Sequence, residues 1–330
     1  MKAKIIWVLL VVYGSVFTQK ALPIDQTRVH DPVMIKQGNT YYVFCTGRGI
    51  SVFSSTDLKT WTEEKQVFET APTWVNEGNV PGFKNHIWAP DISFHNGQYY
   101  LYYSCSAFAK NTSAIGVATN KTLDPKSSDF KWTDHGIVVQ SVPNRDLWNA
   151  IDPNLSIDEN GNPWLVFGSF WDGMKMVKLN KELTAVEKPE QWITVARRQR
   201  SFELPDADPG DAAIEAPFLY KKGDYYYLFV SWDFCCRGEK STYKVVVGRS
   251  KTMAGPFFDK DGKDLFQGGG SLVIEGNKNW AGVGHNSAYT IDGKDYFVFH
   301  AYDSNDKGIP KLKIKEIKWE NGWPTVEPMN

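Results

Sequence analysis

The sequence predicts an all-β fold, a five-bladed β-propeller, and three observations lead there. One unit repeats five times along 330 residues. Each unit carries short strands rich in aromatic and β-branched residues, separated by glycine, asparagine and aspartate turns. Past the first 20 residues, no long apolar stripe of helical period appears.

The repeat is easiest to see at an acidic residue beside a proline: Asp31-Pro32, Asp91 after Pro90, Asp152-Pro153, and Glu215 with Pro217. Gly284-His285-Asn286 takes the fifth place. Positions 31, 91, 152, 215 and 285 are 60, 61, 63 and 70 residues apart. A turn follows each anchor: Gln37-Gly38-Asn39, Asn96-Gly97, Gly161-Asn162, Gly223-Asp224 and Asp292-Gly293. Such residues supply the positive φ of a hairpin. The turns lead into aromatic strands, among them Tyr99 to Tyr103 and Tyr225 to Val230. Third strands follow at Ile50–Ser54, Ile115–Thr119, Met174–Leu179, Tyr243–Gly248 and Leu312–Trp319. A repeat this uniform, with no linker-like break, favours a propeller over two stacked sandwiches. Gly255 to Gly284 reads as one long connection.

Lys2 and Lys4 ahead of the apolar run Ile5–Val12 read as a secretory leader over 1–20, too short to span a bilayer. Residues 21–330 then form a single propeller domain, secreted or periplasmic. With 37 basic and 38 acidic residues, composition offers no charge excess for nucleic acid or an anionic membrane. Cys45 and Cys105 fall mid-strand at equivalent positions and read as buried free thiols. Cys235 and Cys236 are adjacent; a vicinal disulfide is the less favoured alternative, because that linkage is strained. No cysteine has zinc spacing. Three Asn-x-Ser/Thr sequons, at Asn111, Asn120 and Asn154, read as chance matches, because two lie in candidate site segments.

A propeller brings the innermost strand of every blade to one axis. Asp31, Asp91, Asp152, Glu215 and His285 therefore converge at one mouth. Several carboxylates in one funnel repel one another and resist burial, so their presence points to function. Any one Asp-Pro is more often a turn, and Asp91 is the most structural of the set. Inverting glycoside hydrolysis uses a carboxylate base for water and a carboxylic acid for the leaving oxygen, roughly 6.5–9.5 Å apart. A third carboxylate nearby would raise the acid's pKa.

Further segments carry a resemblance: His30-Asp31-Pro32, Trp88-Ala89-Pro90-Asp91, Asn149-Ala150-Ile151-Asp152-Pro153-Asn154, Gly168-Ser169-Phe170-Trp171, Ile214-Glu215-Ala216-Pro217, Cys235-Cys236-Arg237-Gly238 and Gly284-His285-Asn286-Ser287. In this order they closely resemble the five-bladed hydrolases of glycoside hydrolase family 43, specifically the endo-1,5-α-L-arabinanases. The resemblance covers the whole chain after the leader. It implies Asp31 as general base, Glu215 as general acid, and Asp152 as the residue that orients Glu215 and raises its pKa. His285 matches the histidine facing a central, largely water-coordinated metal ion, usually read as calcium; no organic cofactor is implied. Trp88, Phe108, Asn149, Ser169, Phe170 and Trp171 match the substrate cleft. Ala109 and Val283 depart from the family's usual glycine and proline. The partners implied are arabinan or arabino-oligosaccharides.

Endo action is expected, because the chain is little longer than five blades. Gly255–Gly284 is then the one obvious candidate for a wall that would impose exo action. An exo-acting arabinanase, an arabinofuranosidase or xylosidase, and a non-catalytic sugar-binding propeller are the alternatives; the three retained carboxylates argue against the last.

Overall fold

The computed structural model describes residues 21–330, so the leader expected over 1–20 lies outside the described residues. Five antiparallel sheets follow in chain order, each a simple meander. Blade 1 holds β2 (Val33–Gln37), β3 (Thr40–Cys45), β4 (Ser51–Ser55) and β5 (Thr60–Glu64), with β1 (Leu22–Pro23) added outside β5. Blade 2 holds β6 (Ile87–His95), β7 (Gln98–Cys105), β8 (Ser113–Asn120) and β9 (Thr133–Ser141). Blade 3 holds β10 (Asn154–Ile157), β11 (Pro163–Phe167), β12 (Met174–Lys178) and β13 (Trp192–Ala196). Blade 4 holds β14 (Ile214–Lys222), β15 (Tyr225–Trp232), β16 (Lys244–Ser250) and β17 (Ser271–Glu275). Blade 5 holds β18 (Trp280–Ile291), β19 (Lys294–Asp303), β20 (Ile309–Glu320) and β21 (Trp323–Val326). The first strands touch in a closed circuit: β2 with β6, β6 with β10, β10 with β14, β14 with β18, and β18 with β2. The expected five-bladed propeller is the fold.

The core is split into five clusters, one between each pair of neighbouring blades. This explains why the second strands are apolar throughout rather than alternating. On β7, Tyr99, Leu101 and Tyr103 pack toward blade 1, while Tyr100 and Tyr102 pack toward blade 3. Both faces of an inner strand are buried, so both sets of side chains must be apolar or internally bonded. Tyr102 meets the second condition by donating its hydroxyl to the Leu183 carbonyl at 2.6 Å. Each fully buried large side chain contributes about 1.5–3 kcal/mol.

The hairpin turns between first and second strands adopt the positive φ their sequences call for, as at Asn96 and Gly97 (48° and 83°). Cys45 and Cys105 are free and buried, as expected, whereas Cys235 and Cys236 form the vicinal disulfide that was the less favoured reading. Asn111, Asn120 and Asn154 are all buried, which bars a glycan from each. The stretch Gly255–Gly284 is not one loop: it includes β17, the fourth strand of blade 4, and the start of β18.

Candidate active site

Each first strand is entered through a residue in the left-handed region. These are Asp31 (φ 54°), Ala89 (43°), Asp152 (59°), Ala216 (54°) and His285 (51°). A proline follows four of them and Asn286 the fifth. The strand pairing slips there in β6, β14 and β18, which marks a bulge. Non-glycine residues rarely hold this conformation, and it clusters where function requires a side chain to be re-aimed.

This kink corrects the alignment read from sequence. The slot equivalent to Asp31, Asp152 and His285 is occupied by Ala89 in blade 2 and Ala216 in blade 4. Asp91 lies two residues beyond it and Glu215 one before it. Asp91 is consequently turned into the blade 2–3 joint, where it accepts from the Leu155 N–H (2.8 Å) and Asn154 Nδ2 (3.1 Å). Burial pushes its carboxyl up to about 6. Asn154 in turn accepts from the Leu219 N–H of blade 4 at 2.9 Å.

The kinked backbone N–H groups are held by side chains at the end of the preceding blade's second strand. Thr46 Oγ1 accepts from Ala89, Ser104 Oγ from Asp152, Ser231 Oγ from His285, and His300 Nδ1 from Asp31. In blade 3 the matching position is Gly168, which has no side chain. The Ala216 N–H instead donates to Asp152 Oδ2 at 3.2 Å. One absent side chain thus couples Asp152 to the backbone beside Glu215.

Asp31 is held most tightly. Its Oδ1 lies 2.7 Å from His30 Nδ1 and 3.0 Å from His285 Nδ1, and its Oδ2 accepts from Thr46 Oγ1 at 2.5 Å. A carboxylate offers about four acceptor positions. Three are taken, which leaves one on Oδ2. Burial opposes its charge, but His285 and His30 outweigh burial and hold Asp31 well below the usual carboxylate range. Asp152 behaves oppositely: burial, with the charges of Glu215 and Asp31, raises it well above that range, although His285 opposes. Glu215 accepts from Ser169 Oγ and Tyr243 Oη, both at 2.8 Å. A carboxyl held ionised, Asp31, beside one held protonated, Asp152, is an arrangement that acid–base chemistry uses.

The expected substrate contacts divide. Phe108 is 76 % exposed, and Trp88 and Phe170 are half-buried. Trp171 is only 2 % exposed, which corrects its expected role as a stacking wall. The connection 197–213 lies over it, taking its Nε1–H at the Asp206 carbonyl (2.9 Å). Ser169 is buried and engaged with Glu215, and Asn149 is buried with Oδ1 accepting from Ser113 Oγ (2.6 Å). The sequence reading quoted His30 in the His30-Asp31-Pro32 segment but gave it no role, and it missed Thr46, Tyr243, His300 and Tyr302. Of those four, only His300, a histidine inside the apolar run Phe299–Tyr302, carried a signal.

His285 uses Nδ1 on Asp31, so Nε2 is its one nitrogen left for a metal. The adjacent Asn286 is buried with both amide atoms unpartnered. Unpartnered buried polar atoms suit bound water or an ion with its water shell, so these residues fit a largely water-coordinated cation. Burial opposes protonation of His285, but Asp31, Asp152 and Glu215 lift it to about 9. A bound cation would therefore displace the Nε2 proton.

A model of the glycosyl hydrolases of family 43 matches residues 21–324. The chain belongs to that family. Among family 43 relatives, it is 55 % identical over 303 residues to the extracellular exo-α-(1→5)-L-arabinofuranosidase of Cellvibrio japonicus, covering 92 % of this chain and 87 % of that one. It is 43 % identical over 301 residues to the extracellular endo-α-(1→5)-L-arabinanase 1 of Bacillus subtilis, covering 90 % and 87 %. The solved α-L-arabinanase of Cellvibrio cellulosa in complex with arabinohexaose superposes with a TM-score of 0.90 at 55 % identity, covering 92 % and 96 %. As a family 43 member, the chain is a glycoside hydrolase, and Asp31, Asp152 and Glu215 are the carboxyls its fold buries together at the axis.

Proposed function

We propose that this enzyme is a secreted hydrolase of α-1,5-linked arabinan, inverting at the anomeric carbon and acting from a chain end. The observation that carries the chemistry is the opposite tuning of Asp31 and Asp152 within one buried centre. Asp31 takes a proton from water through its one open Oδ2 position. Glu215 delivers a proton to the leaving oxygen, with Ser169 and Tyr243 fixing its carboxyl. Asp152 keeps a proton in the pocket and, through the Ala216 N–H, aligns the strand that carries Glu215. A cation held on His285 would add positive charge beside Asp31. Arabinan as substrate is supported by the relatives and by the exposed aromatic rings at the mouth.

The preference for exo action over the expected endo action has two supports. In an antiparallel meander, the connections after second and fourth strands open at the anchor end, and the others at the far end. The β16–β17 connection joins third and fourth strands, so it leaves blade 4 at the far end, but it turns back to segment 197–213, where the Arg197 N–H donates to the Leu265 carbonyl at 3.0 Å. The long site-end connections are 65–86 and 197–213. Segment 197–213 is braced by Arg200, which donates to the carbonyls of Pro205 and Asp208, and with Leu147, Asp172, and Phe266 and Gln267 of the β16–β17 connection it bounds a cavity of about 410 Å³. The relative named as exo-acting is also more similar than the one named as endo-acting. Product analysis on linear debranched arabinan tests this. One oligosaccharide size from the first minutes, with slow loss of viscosity, is expected; a rapid viscosity drop with mixed products returns the enzyme to endo action.

A further inference from the structure

A continuous line of polar contacts reaches Asp31 from the vicinal disulfide. The Cys236 backbone N–H donates to the Tyr302 hydroxyl oxygen at 2.8 Å. That oxygen lies 2.7 Å from His30 Nε2. His30 Nδ1 lies 2.7 Å from Asp31 Oδ1. Cys236 is itself bonded to Cys235 and sits at φ 64°, so its amide direction is set by the loop and not by the tyrosine.

A tyrosine hydroxyl has one proton to donate. Its oxygen already takes the Cys236 N–H, so the hydroxyl proton is free to point at His30 Nε2. Nε2 is then the acceptor, and the ring proton resides on Nδ1, facing the carboxylate. The opposite tautomer would set a nitrogen lone pair against the Asp31 oxygen. That repulsion would turn the carboxylate and move its single open acceptor position. His300 holds the ring plane: it stacks on His30 with centroids 4.0 Å apart and 27° between planes. It is no competitor for the same contact, since its own Nδ1 accepts from the Asp31 N–H.

We propose that Tyr302, with its oxygen pinned by the Cys236 amide, sets the Nδ1–H tautomer of His30, and that both are positioning residues for Asp31. The functional part rests on the reading of Asp31 as the base. The tautomer itself does not, and the experiment separates the two.

Tyr302→Phe removes the donor while keeping the ring. Turnover on linear arabinan should fall at least about tenfold with KM changed less than about twofold, the pattern of a lost transition-state alignment. In ¹⁵N spectra of the histidine rings, His30 should leave the Nδ1–H form. His30→Asn retains an N–H donor at the Nδ1 position with no tautomer to set, so adding Tyr302→Phe there should cost less than about twofold. Equal losses in both backgrounds, or an unchanged Nδ1–H signal in Tyr302→Phe, would overturn the proposal. Should Asp31→Ala keep full turnover, the base reading falls while the tautomer result stands by itself.

Discussion

At the scale of single residues, the site works by giving chemically similar carboxyls unlike surroundings. Glu215→Gln should cut arabinan hydrolysis by at least about a hundredfold. Aryl arabinosides with very good leaving groups should lose far less, because they need little protonation; equal losses on both substrates would assign Glu215 another role. Asp31→Ala should bind substrate yet lose turnover, with partial recovery in azide. NMR of the first product released by the unmodified enzyme should show the inverted anomer. Asp152 is raised by burial and by Glu215 and Asp31. Asp152→Asn leaves one carboxyl where two share a buried site, so that site gives up its last proton at lower pH. The basic limb of the pH–rate profile should therefore move to lower pH, and an unmoved limb would exclude this role.

At the scale of elements, the kink that opens each first strand separates residues that look equivalent in sequence. Asp91 and Glu215 both stand near a proline, yet one faces a blade joint and the other the chemistry. Asp91→Ala would leave the Leu155 N–H and the Asn154 amide without an acceptor, at a cost of about 2–3 kcal/mol. The pH dependence follows from a folded-state pKa of about 6 against an ordinary aspartate value of 3.8. A group raised on folding stabilises fully below its unfolded value and loses that contribution as pH rises through its folded one. The melting-temperature gap between the unmodified enzyme and Asp91→Ala should thus be wider near pH 4 than near pH 7. A gap independent of pH would mean that Asp91 titrates normally.

At the scale of the whole molecule, blades 5 and 1 close the ring without sharing a strand. They are joined by the β18–β2 contact, the Asp31 N–H on His300, Ser287 Oγ on the Pro32 carbonyl, and the pairing of Arg28 with Lys311. Asp31 thus belongs both to the chemistry and to the closure. Opening the ring should abolish the site, so thermal unfolding followed by near-ultraviolet circular dichroism should coincide with loss of activity. Activity lost well before the packing signal would show that the closure opens separately.

The sequence by itself determined the five units, their order, the hairpin turns, the buried thiols and the three carboxylates that meet at the axis. All of these depend on local periodicity and residue type, which a propeller repeats blade by blade. The tertiary structure decided the rest. It placed Asp91 in a joint, covered Trp171 with segment 197–213, and brought the β16–β17 connection back against that segment. It also gathered His30, Thr46, Tyr243 and Tyr302 around Asp31 and Glu215. Those outcomes turn on a one-residue bulge, on which end of a meander a loop leaves, and on contacts between blades as much as 272 residues apart in the chain. Spacing along a chain carries no record of such distances, because they exist only once the ring has closed.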